Sequence, residues 1–236
     1  MLNEFSRTEL LFGSDAMKKL KSSRVAVFGV GGVGGYVAEA LARSGVGSLD
    51  LIDSDSVSLT NLNRQIVALH STIGRYKVDV MKERILDINP EAKVTVYKCF
   101  YLEETKSLFD FSCYDYVVDA VDTVSAKIQL IMQAKEAGTP IISSMGAGNK
   151  THPELFSVAD ISETSVCPLA RVMRQECKKR GLTNVKVVYS KESPLAPKAT
   201  ECSEKKGNST APGSTAFAPS AAGLLIASQV VRELAE

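Results

Sequence analysis

Arg24-Val-Ala-Val-Phe28-Gly29-Val-Gly31-Gly32-Val-Gly34-Gly35-Tyr36-Val-Ala-Glu-Ala-Leu-Ala-Arg43-Ser-Gly45 is the stretch that decides the fold. A short β-branched run stops at Phe28, glycines follow at once, and a helical pattern runs from Tyr36 to Ser44 with Gly45 as its stop signal. Gly29, Gly31 and Gly34 therefore form GxGxxG between a strand and a helix. The first glycine permits the tight turn, the second lets a phosphate approach the backbone, and the third lets helix and strand pack closely. The helix N-terminus then offers unpaired N–H groups to an anion. Asp53 closes a second strand, Leu49-Asp-Leu-Ile-Asp53, 19 residues beyond Gly34, where a carboxylate can accept bonds from ribose hydroxyls. The competing reading of the glycines is a turn that serves packing alone.

The flanking sequence repeats the alternation. Residues 1–22 read as a charged helix. Lys77 to Ile88 is helical and ends at Asn89-Pro90, Val94 to Tyr97 and Tyr116 to Ala120 are strands, and Ser125 to Ala137 is a helix closed by Gly138 before a strand at Pro140 to Ser143. This order predicts an α/β fold: a Rossmann-like, mostly parallel sheet with helices on both faces over residues 1–145. Residues 146–236 read as an extension within the same single domain. It holds strands at Phe156 to Ile161 and Val185 to Tyr189, a basic helix at Leu169 to Lys179, a Ser/Pro/Lys-rich loop at 191–216, and a last helix from Pro219 to Leu234.

Composition limits the functional classes. A chain of 236 residues with 44% apolar and 23% charged residues is ordinary for a globular protein, and its net charge of +1 supports no whole-chain attraction to nucleic acid. The charge is uneven, however: Arg171 to Lys206 holds ten Lys or Arg against four Glu. That surplus suits a polyanionic partner, or equally a solvated helix and loop. The N-terminus lacks an apolar secretion core, and the apolar run Ala221 to Val231 is far short of the ~20 residues that span a bilayer. Five cysteines without framework spacing read as reduced thiols, so the expected location is cytoplasmic, away from membranes.

Cations beside the glycine turn move the reading from a dinucleotide to a triphosphate. Asp53-Ser-Asp55 is followed by Asn61-Leu-Asn63-Arg64-Gln65 and Gly74-Arg-Tyr-Lys77. Hydride transfer has little use for two cations near the phosphates, whereas breaking a triphosphate needs positive charge where negative charge accumulates. Arg64 can fork onto two phosphate oxygens, and Lys77 can act as a point charge. Asp119-Ala-Val-Asp122 sits at a strand end, where a carboxylate such as Asp122 can hold Mg²⁺ against ATP.

Gly29-x-Gly31-Gly32-x-Gly34, Asp53-x-Asp55, Asn61-x-Asn63-Arg64-Gln65, Lys77 and Asp119-x-x-Asp122 together resemble the ATP-binding signature of the ubiquitin-activating-enzyme-like (ThiF/MoeB) superfamily. Met145-Gly-Ala-Gly-Asn149, Cys167-Pro-Leu-Ala170 and Phe217-Ala-Pro-Ser-Ala-Ala-Gly223 resemble its tRNA threonylcarbamoyladenosine dehydratase branch (TcdA, also CsdL or YgdL). The resemblance implies a homodimer whose Arg7 reaches the partner's ATP site, ATP with Mg²⁺, tRNA as substrate, and a cysteine-desulfurase or sulfur-acceptor system as a further partner. Arg64, Lys77, Asp122 and Arg7 are then the expected catalytic residues. Gly29, Gly31, Gly32, Gly34, Asp53, Asp55, Asn61 and Asn63 join Arg64, Lys77 and Asp122 in holding the nucleotide.

The basic helix supplies a candidate tRNA surface. Arg171, Arg174 and Lys178 are spaced for one helix face, and Lys179 and Arg180 extend it. Three rivals remain at this point: adenylation of a small sulfur-carrier protein's C-terminal glycine, an NAD-dependent oxidoreductase, and a non-catalytic nucleotide sensor. The chain has no CxxC pair for the zinc site of ThiF- and MoeB-type proteins, which counts against the first. Arg64 and Lys77 count against the second. Cys167 and Cys202 are the candidates for a thioester nucleophile, each with an inert thiol as its alternative.

Overall fold

In the computed structural model, which describes residues 2–196, 198, 205–206, 209–210 and 212–236, seven strands form one sheet in the order β3-β2-β1-β4-β5-β7-β6. These are β1 (Arg24–Phe28), β2 (Ser48–Ile52), β3 (Lys93–Tyr97), β4 (Tyr116–Asp119), β5 (Ile141–Ser144), β6 (Phe156–Asp160) and β7 (Lys186–Ser190). Every neighbouring pair is parallel except β6 on β7. Chain order reverses between β1 and β4, the switch point at which open α/β sheets bind ligands beyond the strand ends.

Each central strand divides its side chains between two cores. On β1, Val25 and Val27 enter one cluster and Ala26 and Phe28 the other, as the period of two requires. The first cluster gathers α1 (Ser6–Ser22), α2 (Gly34–Arg43), α3 (Lys77–Ile88) and α6 (Phe217–Ala235), through residues such as Leu20, Leu41, Met81 and Ile226. The second lies under α4 (Val124–Ala137) and α5 (Pro168–Lys179) and is built on aromatics. Phe28 meets Tyr101 and Phe109 edge-on, with ring centroids 5.1 and 5.2 Å away.

Local chemistry sets the helix ends. Gly138 at φ +71° caps α4 and donates to Ala134, and Asn89-Pro90 stops α3. Gly13, at φ +82°, interrupts α1, which the sequence had read as continuous. Inside the expected 191–216 loop, Lys205–Lys206 (β8) pairs antiparallel with Ser209–Thr210 (β9). The chain's end returns to its beginning: α6 crosses α2 so closely that a Cβ on Gly223 would lie 2.5 Å from the Val33 carbonyl oxygen. That crossing sets Pro219 against Gly32, so residues distant in sequence close over the glycine turn.

Candidate functional site

The turn after β1 is shaped by two backbone approaches. Gly29 has φ +89°, and a Cβ there would lie 2.6 Å from the Ala120 carbonyl oxygen. At Gly34 a Cβ would lie 1.8 Å from the Gly29 carbonyl oxygen. The turn is therefore folded back on itself against the strand beyond the switch point. The N–H groups of Gly31, Gly32 and Val33 make no hydrogen bond among the described residues, and they precede α2. Unpaired N–H groups at a helix N-terminus are a ready anion site.

Asp53 braces this turn. Its carboxylate accepts the Val30 N–H at 2.7 Å and the Asp55 N–H at 2.8 Å. Burial pushes its carboxyl up, against the pull of the Lys77 charge and these two N–H bonds. Sequence reading gave Asp53 the ribose alone; the structure adds the bracing role, and the second lone pair on each oxygen can still accept a hydroxyl.

Lys77 begins α3, where the helix dipole disfavours a cation. Its side chain is only 6% exposed, and its ammonium meets the Asp55 carboxylate at 2.7 Å. Arg64 is fixed through Nη1, which donates to the Thr60 carbonyl at 2.8 Å and to Asn63 Oδ1 at 2.9 Å. Asn61 closes the Leu59–Asn61 turn by accepting the Ser58 N–H, and Asn63 donates to the Ser214 carbonyl at 3.0 Å. Asp122 lies across the switch point and accepts from the Thr123 hydroxyl at 3.2 Å.

Together these residues line a cleft of about 560 Å³ that holds Gly29, Gly31, Gly32, Asp53, Asp55, Asn61, Arg64, Lys77 and Asp122. Gly34 and Asn63 act from behind the wall, through packing and through the grip on Arg64 and Ser214. Sequence reading placed Gln65 in the signature without a role of its own, and missed Ser54, the Cys99–Leu102 rim, and Pro212, Ser214 and Pro219. Ser54 Oγ and Gln65 Oε1 are buried with no hydrogen-bond partner among the described residues, which suits a ligand that satisfies them. Their signal was position: Ser54 lies between two signature acids, and Gln65 follows Arg64.

Other expected residues lie elsewhere. Arg7 is exposed on α1 and does not line its own chain's cleft. Asp119 is fully buried against Lys127, away from the metal role open to the strand-end acids. Cys167 is buried at the N-cap of α5, and Cys202 lies outside the described residues. On the basic face of α5, three of the five charges have partners within the chain. Arg174 folds back to donate to the Thr164 carbonyl and hydroxyl, and Lys179 and Arg180 both pair with Glu176 one turn away. Arg171 and Lys178 remain exposed. No helix among the described residues is long and apolar enough to cross a membrane.

The chain is similar to known proteins along nearly its whole length. The tRNA threonylcarbamoyladenosine dehydratase of Bacillus subtilis (strain 168) is 49% identical over 99% of this chain and 95% of its own length. The solved structure of Escherichia coli TcdA with ATP superposes with a TM-score of 0.88 at 33% identity, covering 98% of this chain and 93% of that one; the same enzyme with AMP gives 0.87. A molybdopterin-synthase adenylyltransferase of Escherichia coli (strain K12) is more distant, 32% identical over 63% of this chain and 59% of its own. The pattern of the ThiF family matches residues 5–236, and the chain belongs to that family.

Proposed function

We propose that this chain uses ATP to dehydrate threonylcarbamoyladenosine in tRNA, closing the side chain into a ring through an acyl-adenylate. The observation that carries the reading is Lys77: a buried ammonium at a helix N-terminus, facing a cleft rimmed by the unpaired N–H groups of Gly31, Gly32 and Val33. A cation is kept in so costly a place where negative charge gathers during phosphate chemistry.

The glycine turn and the start of α2 cradle the phosphates, and Asp53 and Ser54 take the ribose side. Lys77 and Arg64 face the triphosphate. Asp122 would hold Mg²⁺ beside it, one carboxylate sufficing because the phosphates supply further oxygen ligands. The threonine-derived carboxylate attacks the α-phosphorus, a carboxylate–phosphorus bond forms, and the bond to the β-phosphate oxygen breaks with loss of pyrophosphate. The ureido group of the same nucleoside then attacks the acyl carbon, and AMP leaves with one carboxylate oxygen. The second step is intramolecular, and effective molarities of ~10⁵ M or more can replace a covalent enzyme intermediate. After incubation with ATP, Mg²⁺ and modified tRNA, the digested nucleoside is expected to be lighter by one water, with one AMP and one pyrophosphate released per event. Pyrophosphate release with a carrier protein's C-terminal glycine and none with tRNA would overturn this in favour of the sulfur-carrier reading.

The working unit in this proposal is a homodimer. Leu10 and Leu11, 86% and 84% exposed beside Arg7 on α1, support a second copy covering this face. Mixing Arg7→Ala with Lys77→Ala protein is expected to recover activity, because each hybrid dimer carries one site with both residues intact. No recovery after demonstrated subunit exchange would remove Arg7 from the partner's site.

The tRNA surface is narrowed to Arg171 and Lys178. Replacing both with Glu is expected to weaken tRNA binding and flatten its salt dependence while ATP binding stays unchanged. A salt titration matching the parent would leave this face merely solvated.

A further inference from the structure

Lys127 lies on α4 at a position whose helical neighbours, Leu130, Ile131 and Ala134, are all buried, and the ammonium itself is fully buried. It reaches both oxygens of Asp119, at 3.2 and 3.1 Å, the Ser144 carbonyl at 2.6 Å and the Ser143 hydroxyl at 3.4 Å. Ser143 in turn donates to Asp119. One cation thus ties the C-terminal ends of β4 and β5 together, beside the switch point. Asp119 also accepts the Val121 N–H at 3.2 Å, which fixes the turn that carries Asp122 into the cleft. The same turn presents the Ala120 carbonyl to Gly29. A buried ion pair is often no more stabilising than apolar groups of the same volume, so stability alone gives little reason to keep this one.

We infer that Lys127 is a positioning residue for adenylation: through Asp119 it holds the Ala120–Thr123 turn, and with it Asp122, in register with the glycine turn. This rests on the proposed ATP site. Its effect falls mainly on the chemical step, because Asp53, Lys77 and the N–H groups of Gly31, Gly32 and Val33 make no hydrogen bond to Lys127, Asp119 or Ser143 among the described residues.

The test compares Asp119→Asn/Lys127→Met, which removes both charges together, with Ser143→Ala, which removes the hydrogen bonds of Ser143 to Asp119 and from Lys127 and leaves no unpaired charge, and with Asp122→Ala. Thermal melting, KM for ATP and kcat are read in ATP–pyrophosphate exchange with modified tRNA. Ser143→Ala is expected to lower kcat about five-fold or more, the scale of one to two lost hydrogen bonds, with KM and melting temperature near the parent's. The double variant is expected to lower kcat by ~10-fold or more, again with little change in KM. Parent kcat in Ser143→Ala, or in a folded double variant, overturns the inference; if the double variant does not fold, Ser143→Ala decides alone. An impaired Asp122→Ala beside an unimpaired Ser143→Ala removes only the role of Lys127, whereas parent kcat in Asp122→Ala removes the site reading beneath it.

Discussion

Lys77→Ala is expected to lower adenylation by ~10²-fold or more, the scale of a lost contact to charge that develops in the transition state. Arg64→Ala and Asp122→Ala should each fall in the same range. The Lys77 loss is expected to be the least forgiving, because its ammonium is nearly enclosed and no water-exposed neighbour can replace it there. Its removal also leaves Asp55, half-exposed, without its ion-pair partner. Asp55 can be solvated in place, so the fold should survive. The check is ATP–pyrophosphate exchange beside thermal melting. Parent exchange rates in all three variants would dissolve the proposed site.

Gly34→Ala is expected to abolish ATP binding and lower the melting temperature, because its Cβ would fall 1.8 Å from the Gly29 carbonyl oxygen and 2.9 Å from the Gly29 carbonyl carbon. Both are backbone atoms, so the turn must open. Gly31→Ala separates packing from binding. Its Cβ would meet nothing nearer than Gln65 Nε2 at 3.9 Å, which leaves it facing the cleft. That variant should melt like the parent and still bind ATP weakly, since the added methyl occupies space the phosphate needs. Calorimetry and melting on the two proteins check this. Strong ATP binding by Gly34→Ala would mean that the turn does not need the close approach seen here.

The reach of sequence reading differs along the chain for physical reasons. The β1–α2 unit was legible because its signals are local: a β-branched run, glycines at set offsets and a helical period with a stop. Lys77–Ile88 was legible for the same reason, being bounded by Asn89-Pro90. The cleft's signature residues were legible because they sit at strand ends close together in sequence. Pro212, Ser214 and Pro219 were not, because only the return of α6 across α2 brings them to the glycine turn. Lys127 gave a weak signal as a lysine on the apolar face of its helix; its partners Ser143 and Ser144 lie on another element. On α5, counting charge does not show what each charge already holds, Glu176 for two of them and Thr164 for a third.

ATP–pyrophosphate exchange tests the central claim most directly, run with tRNA carrying threonylcarbamoyladenosine, with unmodified tRNA and with a sulfur-carrier protein. Exchange that requires the modified tRNA, and that Lys77→Ala loses, is the result predicted by a cleft that adenylates a tRNA-borne carboxylate. Exchange with the carrier protein alone, or none with any acceptor while the protein binds ATP, would contradict it.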